Sequence, residues 1–242
     1  MKSLRRDVLV IGGGIGGLQT ALDLADRGRE VVIVERKPSI GGAMIGLSKV
    51  FPTLDCSSCI TTPKMAAAAH HPRITIFTYA EIEGLTACDE GYTGVVRRKA
   101  RFVEENACIG CRLCEYACPV EVPDEFEEGL GARRAISVPF SNAIPQVALL
   151  DTASCTLCGR CIDACPKDCI VYDQEDELIQ LEVAHVVVAT GWQLTPVDAK
   201  SEYGGGEIAN VISPLKMERM LAPHGPYGHV LRPADGKEPS SV

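Results

Sequence analysis

Residues 108–119 read CIGCRLCEYACP, and residues 155–166 read CTLCGRCIDACP. Both runs have the spacing C-x2-C-x2-C-x3-C-P, which is typical of proteins that hold two [4Fe-4S] clusters. Three cysteines separated by two residues can surround one side of a compact cluster, while the backbone N–H groups between them turn toward its sulfides. In this two-cluster pattern, the fourth cysteine of each run binds the cluster of the other run. The repeated spacing therefore predicts two clusters with crossed ligands.

The eight motif cysteines form two predicted ligand sets. Zinc knuckles and disulfides are the structural alternatives. Zinc requires only paired C-x2-C halves, so it does not explain a third cysteine, a three-residue gap and a proline in both runs. We therefore prefer iron–sulfur clusters. The first cluster is assigned to Cys108, Cys111, Cys114 and Cys165, and the second to Cys155, Cys158, Cys161 and Cys118.

The composition is that of an ordinary globular protein. Of the 242 residues, 46% are hydrophobic and 23% are charged, and the formal net charge is -8. The negative charge, with no basic stripe between aromatic residues, argues against a nucleic-acid partner. The apolar run at residues 8–11 is too short for a membrane span or a signal peptide. Twelve cysteines without an export signal favour a reducing compartment, and we expect a cytoplasmic protein.

A second pattern predicts a dinucleotide-binding βαβ unit over residues 7–35. An apolar strand precedes Gly12-x-Gly14-x-x-Gly17, a helix with one apolar face follows, and a second strand ends at Glu35. Gly12 permits the tight turn, Gly14 lets the backbone approach a pyrophosphate, and Gly17 allows the helix to pack closely on the strand. Glu35 is placed to accept a hydrogen bond from a ribose 2′-hydroxyl. A glycine turn without a ligand would not explain the acid.

Two further segments favour FAD over NAD. Gly41 and Gly42 extend the glycine motif as in flavoproteins with two dinucleotide-binding domains, where this segment lies along the FAD pyrophosphate. Thr190 and Gly191 end an apolar strand like the one with which such proteins return to their first domain. The choice of FAD rests on this likeness of fold and not on spacing alone.

Cys56 and Cys59 form a separate C-x2-C pair outside both cluster motifs. The pair follows Gly42 closely and precedes a helix start predicted at residues 61–63, where the helix dipole would lower the pKa of a thiol. Three roles are open: packing in an apolar loop, a redox dithiol beside the flavin, or two ligands of a further cluster completed by another chain or domain. We favour the ligand role, because Asp55 opposes thiolate activation.

These patterns predict an α/β protein: a Rossmann-like FAD-binding domain of the two-dinucleotide-binding flavoprotein type, with an inserted 2[4Fe-4S] ferredoxin-like α+β domain. Strand character at residues 73–79 and 94–103 predicts an antiparallel excursion from the main sheet. A helix is predicted at residues 214–221. Cys88 and Cys169 are expected to pack in the core. We place the first domain at residues 1–104 and 177–242 and the second, called the insert below, at residues 105–176.

The order of these features resembles that of the A-type subunits of the heterodisulfide reductase family. The glycine motif is followed by FPTLDCSSC at residues 51–59, the two cluster motifs and ATG at residues 189–191. The resemblance covers essentially the whole chain but only the N-terminal portion of the family's length. It implies an oxidoreductase component of a cytoplasmic complex that passes electrons among a hydrogenase or dehydrogenase module, ferredoxin and a disulfide- or quinone-reducing module, in some complexes by flavin-based electron bifurcation. It also implies that the eight motif cysteines are ligands and that Gly12, Gly14, Gly17, Glu35 and Gly42 contact FAD.

The sequence departs from the family pattern at its end. Residues 239–242 fall about where a second dinucleotide-binding domain would begin, so we expect another chain or domain to complete the flavin site and this chain alone to hold FAD weakly. A free-standing FAD and iron–sulfur oxidoreductase with its own small substrate is a second hypothesis, but no second glycine motif follows Gly191. A non-catalytic cluster-bearing sensor is a third, and it would not need Glu35 and Gly42 so placed. No residue pair suggests substrate acid–base chemistry, which favours an electron relay.

Overall fold

A mixed β-sheet with flanking helices forms the centre of the computed structural model, which describes residues 2–241. The strands are β1 (Lys2–Ile11), β2 (Val31–Glu35), β3 (Lys49–Val50), β4 (Asp55–Cys56), β5 (Ile74–Thr78), β6 (Ala80–Cys88), β7 (Gly91–Arg98), β8 (Glu121–Pro123), β9 (Ala132–Arg134), β10 (Ile136–Ser137), β11 (Leu149–Leu150) and β12 (Glu177–Val188). The helices are α1 (Ile15–Asp26), α2 (Ser57–His70), α3 (Leu113–Ala117), α4 (Arg160–Asp163) and α5 (Pro214–Leu221). Short 3-10 turns occur at Met44–Gly46 and Ser201–Tyr203.

Six strands form the main sheet, in the order β5-β2-β1-β12-β7-β6. β1 pairs in parallel with both β2 and β12, and β2 pairs in parallel with β5. The predicted β1–α1–β2 unit is confirmed, and Glu35 is the last residue of β2. α1 begins at Ile15, so Gly16 and Gly17 of the glycine motif belong to its first turn. The carboxyl ends of the parallel strands therefore meet at one edge, which the glycine motif follows directly.

Successive residues of the central strands face opposite sides of the sheet. Val8 and Val10 pack with Leu18 of α1 on one side. Leu9 packs with Leu181 of β12 on the other side. All five residues of β2 are buried, as expected for an inner parallel strand with both faces covered. The buried sheet gives the glycine motif a rigid support.

The antiparallel part of the sheet differs from the prediction. The predicted strand at residues 73–79 corresponds to β5, which is parallel to β2, so its assignment to an antiparallel excursion was wrong. The excursion consists of β6 and β7, and β7 pairs with β12. β6 was missed because Glu81, Glu83 and Gly84 interrupt its apolar residues and the strand is mostly exposed, so its sequence lacks an apolar run. Val103 lies beyond β7 and forms an isolated bridge with Ile170 of the insert.

The insert has a core of its own. Apolar residues such as Ile136, Val147 and Leu150 pack there with motif cysteines. Its strands form two small hairpin-like pairs, β8 with β9 and β10 with β11. Both ends of the insert lie together, because the Glu104 N–H donates to the Cys169 carbonyl at 2.7 Å. The boundaries at 105 and 176 stay a prediction.

The predicted C-terminal helix is confirmed as α5. Ser213 caps it by accepting a hydrogen bond from the Lys216 N–H at 3.0 Å. Arg219 of this helix is only 1% exposed and pairs with Glu127 of the insert at 2.9 Å. Its guanidinium also lies over the ring of Phe126, 4.5 Å from the centroid. α5 therefore ties the C-terminal segment to the insert.

The two remaining cysteines behave differently. Cys88 is exposed at the end of β6, so the prediction that it packs in the core was wrong. A cysteine beside a tight turn has too few neighbours to be covered. Cys169 is 3% exposed and lies within the core of the insert. In the described chain, residues 2–241, no helix is both long enough and apolar enough to cross a membrane.

Candidate flavin and iron–sulfur sites

The glycine motif forms a cradle that side chains would close. Gly12 has a φ of +109°, and a Cβ there would overlap the Ala189 carbonyl. A Cβ on Gly17 would overlap the Gly12 carbonyl. Gly42 has a φ of +63°, and its Cβ would lie 2.6 Å from the Cα of Gly14. The extended part of the motif therefore lies against the glycine turn, with room only for backbone.

This cradle opens at the N-terminus of α1. Gly14 is the N-cap residue and supplies no side-chain cap, and the first turn contains no acidic residue. The unpaired N–H groups and the positive end of the helix dipole are left to interact with an anion. The residues present therefore fit a pyrophosphate, since phosphate groups bind at glycine-rich helix N-termini of this kind.

Glu35 is held beside the cradle by two backbone hydrogen bonds. Its carboxylate accepts from the Gly13 N–H at 2.7 Å and from the Lys37 N–H at 2.8 Å. The side chain is almost fully buried. Each carboxylate oxygen retains a further lone pair, so the group can still accept a ribose hydroxyl hydrogen bond.

A cavity of about 480 Å³ lies next to Glu35. The dinucleotide-binding domain contributes Tyr79 and residues 37–40 to its lining, and the insert contributes Arg133 and a stacked pair, Phe126 and Phe140, whose ring centroids are 4.6 Å apart. Burial raises the pKa of Asp124 at its wall. The volume lies in the range of small-molecule and cofactor sites. No sequence pattern indicated that the insert forms part of this wall, because the contact joins segments about 90 residues apart.

The end of β12 lies across the sheet edge from the glycine turn. The Ala189 N–H donates to the Ile11 carbonyl at 2.8 Å. Thr190 follows directly, which brings its Cα beside Gly12, and Gly191 is the next residue of the chain. Trp192 is 54% exposed, so an apolar ring projects into solvent at this edge.

Five cysteines of the insert line one small cavity. Four belong to the cluster motifs, namely Cys108, Cys111 and Cys114 of the first run and Cys165 of the second, and the fifth is Cys169. Burial raises the pKa of Cys114 to about 12, and the neighbouring thiolates add to this. Such a thiol becomes a thiolate only when a cation, such as a metal, compensates the charge. These four residues are the predicted first ligand set, and their binding of a cluster stays a prediction.

The other four motif cysteines surround a second cavity. Its lining includes Cys155, Cys158 and Cys161 of the second run, Cys118 of the first run, and Tyr172. The Leu157 N–H donates to Cys155 Sγ at 3.3 Å, so a backbone amide between two ligands turns toward sulfur. Within residues 2–241, no three His, Cys, Asp or Glu side chains converge tightly enough to hold a single metal ion. The cysteines of each set instead surround a cavity.

Cys56 and Cys59 lie at the start of α2, which begins at Ser57. The prediction that Cys59 precedes the helix was therefore wrong. The helix starts early because Ser57 donates to the Leu47 carbonyl and Thr61 donates back to the Ser57 carbonyl at 2.8 Å. Pro63 lies inside the helix, where it removes only one backbone hydrogen bond.

The two thiols of this pair shift each other's pKa in opposite directions. The interaction with Cys59 lowers the pKa of Cys56, whereas the same interaction raises the pKa of Cys59. Asp55 adds to the rise at Cys59. Cys56, rather than Cys59, is therefore the more acidic thiol. Phe51, in the loop before the pair, is 90% exposed, so an apolar surface lies next to it.

Known proteins share both halves of this arrangement. The family model described as FAD dependent oxidoreductase matches residues 7–69, and the model described as 4Fe-4S dicluster domain matches residues 107–170. The A-type iron–sulfur subunit of the CoB–CoM heterodisulfide reductase of Methanocaldococcus jannaschii is 46% identical over 98% of this chain and 36% of the relative. The chain is homologous to the flavin and iron–sulfur part of the A-type heterodisulfide reductase subunits. This confirms the resemblance drawn from the motifs.

Two other relatives carry related descriptions. The A-type subunit of the H(2):CoB-CoM heterodisulfide,ferredoxin reductase of Methanothermobacter thermautotrophicus is 43% identical over 97% of this chain and 36% of the relative. The corresponding subunit of the ferredoxin:CoB-CoM heterodisulfide reductase of Methanosarcina mazei is 44% identical over 98% of this chain and 30% of the relative. The chain thus spans about a third of the length of the curated relatives it matches. The α/β fold, the oxidoreductase class and the two kinds of cofactor domain are confirmed.

Proposed function

We propose that this chain is the flavin and iron–sulfur electron-transfer unit of a cytoplasmic heterodisulfide-reductase-like complex. One observation carries the proposal: the same chain combines a backbone cradle for a dinucleotide with two cavities that are each lined by four cysteines of the cluster motifs. FAD exchanges electrons in pairs or singly, and iron–sulfur clusters exchange one at a time. A chain that held both would connect two-electron and one-electron chemistry. Flavin-based electron bifurcation is a finer proposal of the same kind.

Different residues of this chain would bind different parts of FAD and the clusters. The open N-terminus of α1 would hold the pyrophosphate, and Glu35 would orient the adenosine ribose. The large cavity beside Lys37 and Tyr79 has room for the rest of the adenosine half. The proposed FAD contacts are Gly12, Gly14, Gly17, Glu35, Gly41, Gly42, Thr190 and Gly191. The proposed cluster ligands are the crossed sets of Cys108, Cys111, Cys114 and Cys165, and of Cys155, Cys158, Cys161 and Cys118.

Partner subunits are proposed at the exposed apolar residues near the glycine cradle. Val188 is 70% exposed at the end of β12, and Trp192 follows it. Exposed apolar groups at a site edge favour coverage by another protein surface. We propose that a further chain or domain completes the flavin site there. Ferredoxin and a hydrogenase or dehydrogenase module are proposed as the redox partners.

Cys56 and Cys59 are proposed as two ligands of a further cluster. The interaction between their thiols lowers the pKa of Cys56 and raises that of Cys59, and Cys59 is exposed. Phe51 and Leu54, both exposed in the preceding loop, offer an apolar contact for the chain or domain that would supply the other ligands.

Anaerobic purification with metal, sulfide and flavin analysis tests the proposal. We expect about eight iron and about eight labile sulfide atoms per chain, together with binding of added FAD. Reduction of the bound flavin should then reduce the clusters in the same sample. Zinc in place of iron, without absorption near 400 nm, or iron-loaded protein that binds no FAD, would contradict the proposal.

A further inference from the structure

Tyr172 contacts the second cysteine cavity with its hydroxyl group. Its Oη lies 3.4 Å from Cys161 Sγ. A thiolate ligand has no proton to offer, so in a loaded site the tyrosine is the donor of this hydrogen bond and the sulfur is the acceptor. Hydrogen bonds to an ionised acceptor are stronger than those between neutral groups.

The surroundings of this contact are apolar. Ala135, Ile136 and Leu150 line the same cavity, and each is at most 4% exposed. Cys161 itself is 5% exposed. Cys158 of the same lining is exposed, but Tyr172 contacts the buried Cys161, where a single hydrogen bond to sulfur has more electrostatic weight than it would have at a surface.

We infer that Tyr172 sets the reduction potential of the second cluster by donating a hydrogen bond to Cys161; this rests on the proposed function. Addition of one electron makes the cluster and its ligands more negative by one charge, and the tyrosine proton stays on its oxygen. The donated hydrogen bond therefore stabilises the reduced state more than the oxidised state. Tyr172 is thus a positioning residue that raises the potential of the second cluster.

The first cavity offers an internal comparison. Among the described residues that line it, none carries a hydroxyl group. Besides the cationic side chains of Arg112 and Lys167, its lining includes Cys169, whose Sγ lies 3.4 Å from Cys165 Sγ, and a thiol is a weak donor. Removal of the tyrosine hydroxyl should therefore change one of the two one-electron steps and leave the other unchanged.

Tyr172→Phe tests the inference, because it removes only the hydroxyl and keeps the ring. Tyr116→Phe is the matched control, since Tyr116 lies in the insert but is 75% exposed and lines neither cavity. We expect full iron content in both variants. In Tyr172→Phe, the equilibrium constant for reduction of one cluster should fall by about tenfold, or ~59 mV for a one-electron step. EPR-monitored redox titration of the full chain measures both steps.

The outcomes separate the inference from the proposed function. Two unchanged potentials with full iron would overturn the role of Tyr172 and leave the electron-transfer proposal standing. Absence of iron from the unsubstituted protein would contradict the proposed function itself. Should Tyr172→Phe lose its second cluster, fluorotyrosine incorporation provides the second measurement. Its more acidic hydroxyl should shift one potential upward, and an unchanged potential would overturn the inference.

Discussion

Cys118 and Cys165 each line the cavity that holds the three remaining cysteines of the other run. We expect Cys165→Ser to damage the same cluster as Cys111→Ser, and Cys118→Ser the same cluster as Cys158→Ser, because each fourth cysteine serves the opposite site. EPR spectra and iron content of the four variants measure this. Cys88→Ser, at an exposed cysteine, is the control and should keep all its iron. Matching spectra for Cys165→Ser and Cys158→Ser would overturn the crossed assignment.

Gly42 is the second residue whose substitution is informative. In Gly42→Ala the new methyl group meets the Cα of Gly14 at 2.6 Å, and the backbone has a positive φ of +63°. Strain of this kind costs about 1–3 kcal/mol. We expect FAD affinity to fall by about tenfold or more. Flavin binding by equilibrium dialysis measures it, with Gly16→Ala as the control, since a Cβ there meets no atom within 4 Å. Equal losses in the two variants would contradict the cradle.

The Cys56 thiol provides a pH-dependent test. Because its pKa is lowered by the hydrogen bond from Cys59, its thiolate forms at a lower pH than an ordinary cysteine thiolate. Alkylation of Cys56 should therefore begin at lower pH than alkylation of the exposed Cys88, and Cys59→Ala should reduce the difference, since the backbone N–H groups of residues 58 and 59 remain. Mass spectrometry after short exposure to iodoacetamide across a pH series measures it. An undiminished difference in Cys59→Ala would show that another group causes the shift.

The proposal that Cys56 and Cys59 bind a further cluster must be tested in the assembled complex. The double variant Cys56→Ser/Cys59→Ser should lose iron there if the pair binds a further cluster. Unchanged iron with slowed electron transfer would instead favour the redox dithiol. Unchanged iron and unchanged transfer would return both residues to a packing role.

At the scale of secondary-structure elements, α5 depends on one buried ion pair. Arg219 is 1% exposed and Glu127 is 16% exposed, so neither charge is well hydrated. Arg219→Met should destabilise the protein by about 3–5 kcal/mol, because it leaves the Glu127 carboxylate buried without its partner. Urea unfolding measures the loss. In the control Arg232→Met, the broken pair with Asp235 is 38% exposed on both sides, and a change of about 0–1 kcal/mol is expected. Similar losses in both variants would show that α5 is held by other contacts.

The elements also show what the sequence could predict. The sequence predicted β1, α1 and β2 correctly. Their apolar residues, their glycines and the terminal Glu35 all lie within about 30 residues, so a local pattern was enough to recognise the unit. The start of α2 was not predicted correctly. Pro63 suggested that the helix begins at residues 61–63, whereas it begins at Ser57, where the side chains of Ser57 and Thr61 make hydrogen bonds to backbone carbonyls. β6 was missed because it pairs at the sheet border without an apolar pattern. Local rules thus described the buried elements well and the exposed ones poorly.

At the scale of the whole molecule, some parts of the candidate site could also be predicted from the sequence and others could not. The two sets of cysteines were predictable from spacing alone, and the structure places each set around one cavity. The contact of Tyr172 with Cys161 and the insert's share of the large cavity were not predictable, because both depend on packing between separate segments. The link between the units is direct: the Ile144 N–H donates to Ser39 Oγ at 2.8 Å. Neither segment contains a sequence pattern that predicts such a contact.

The insert leaves the sheet from β7 and returns to it at β12, and these two strands are antiparallel neighbours with Arg98 opposite Glu177. A tight turn of a few residues could therefore join them directly as a hairpin. Removal of the insert would not require any strand to be threaded differently, but it would remove Glu127, the partner of Arg219, and one wall of the cavity beside Glu35. A different electron carrier grafted at this junction would therefore have to supply both of these contacts as well as a connection between β7 and β12.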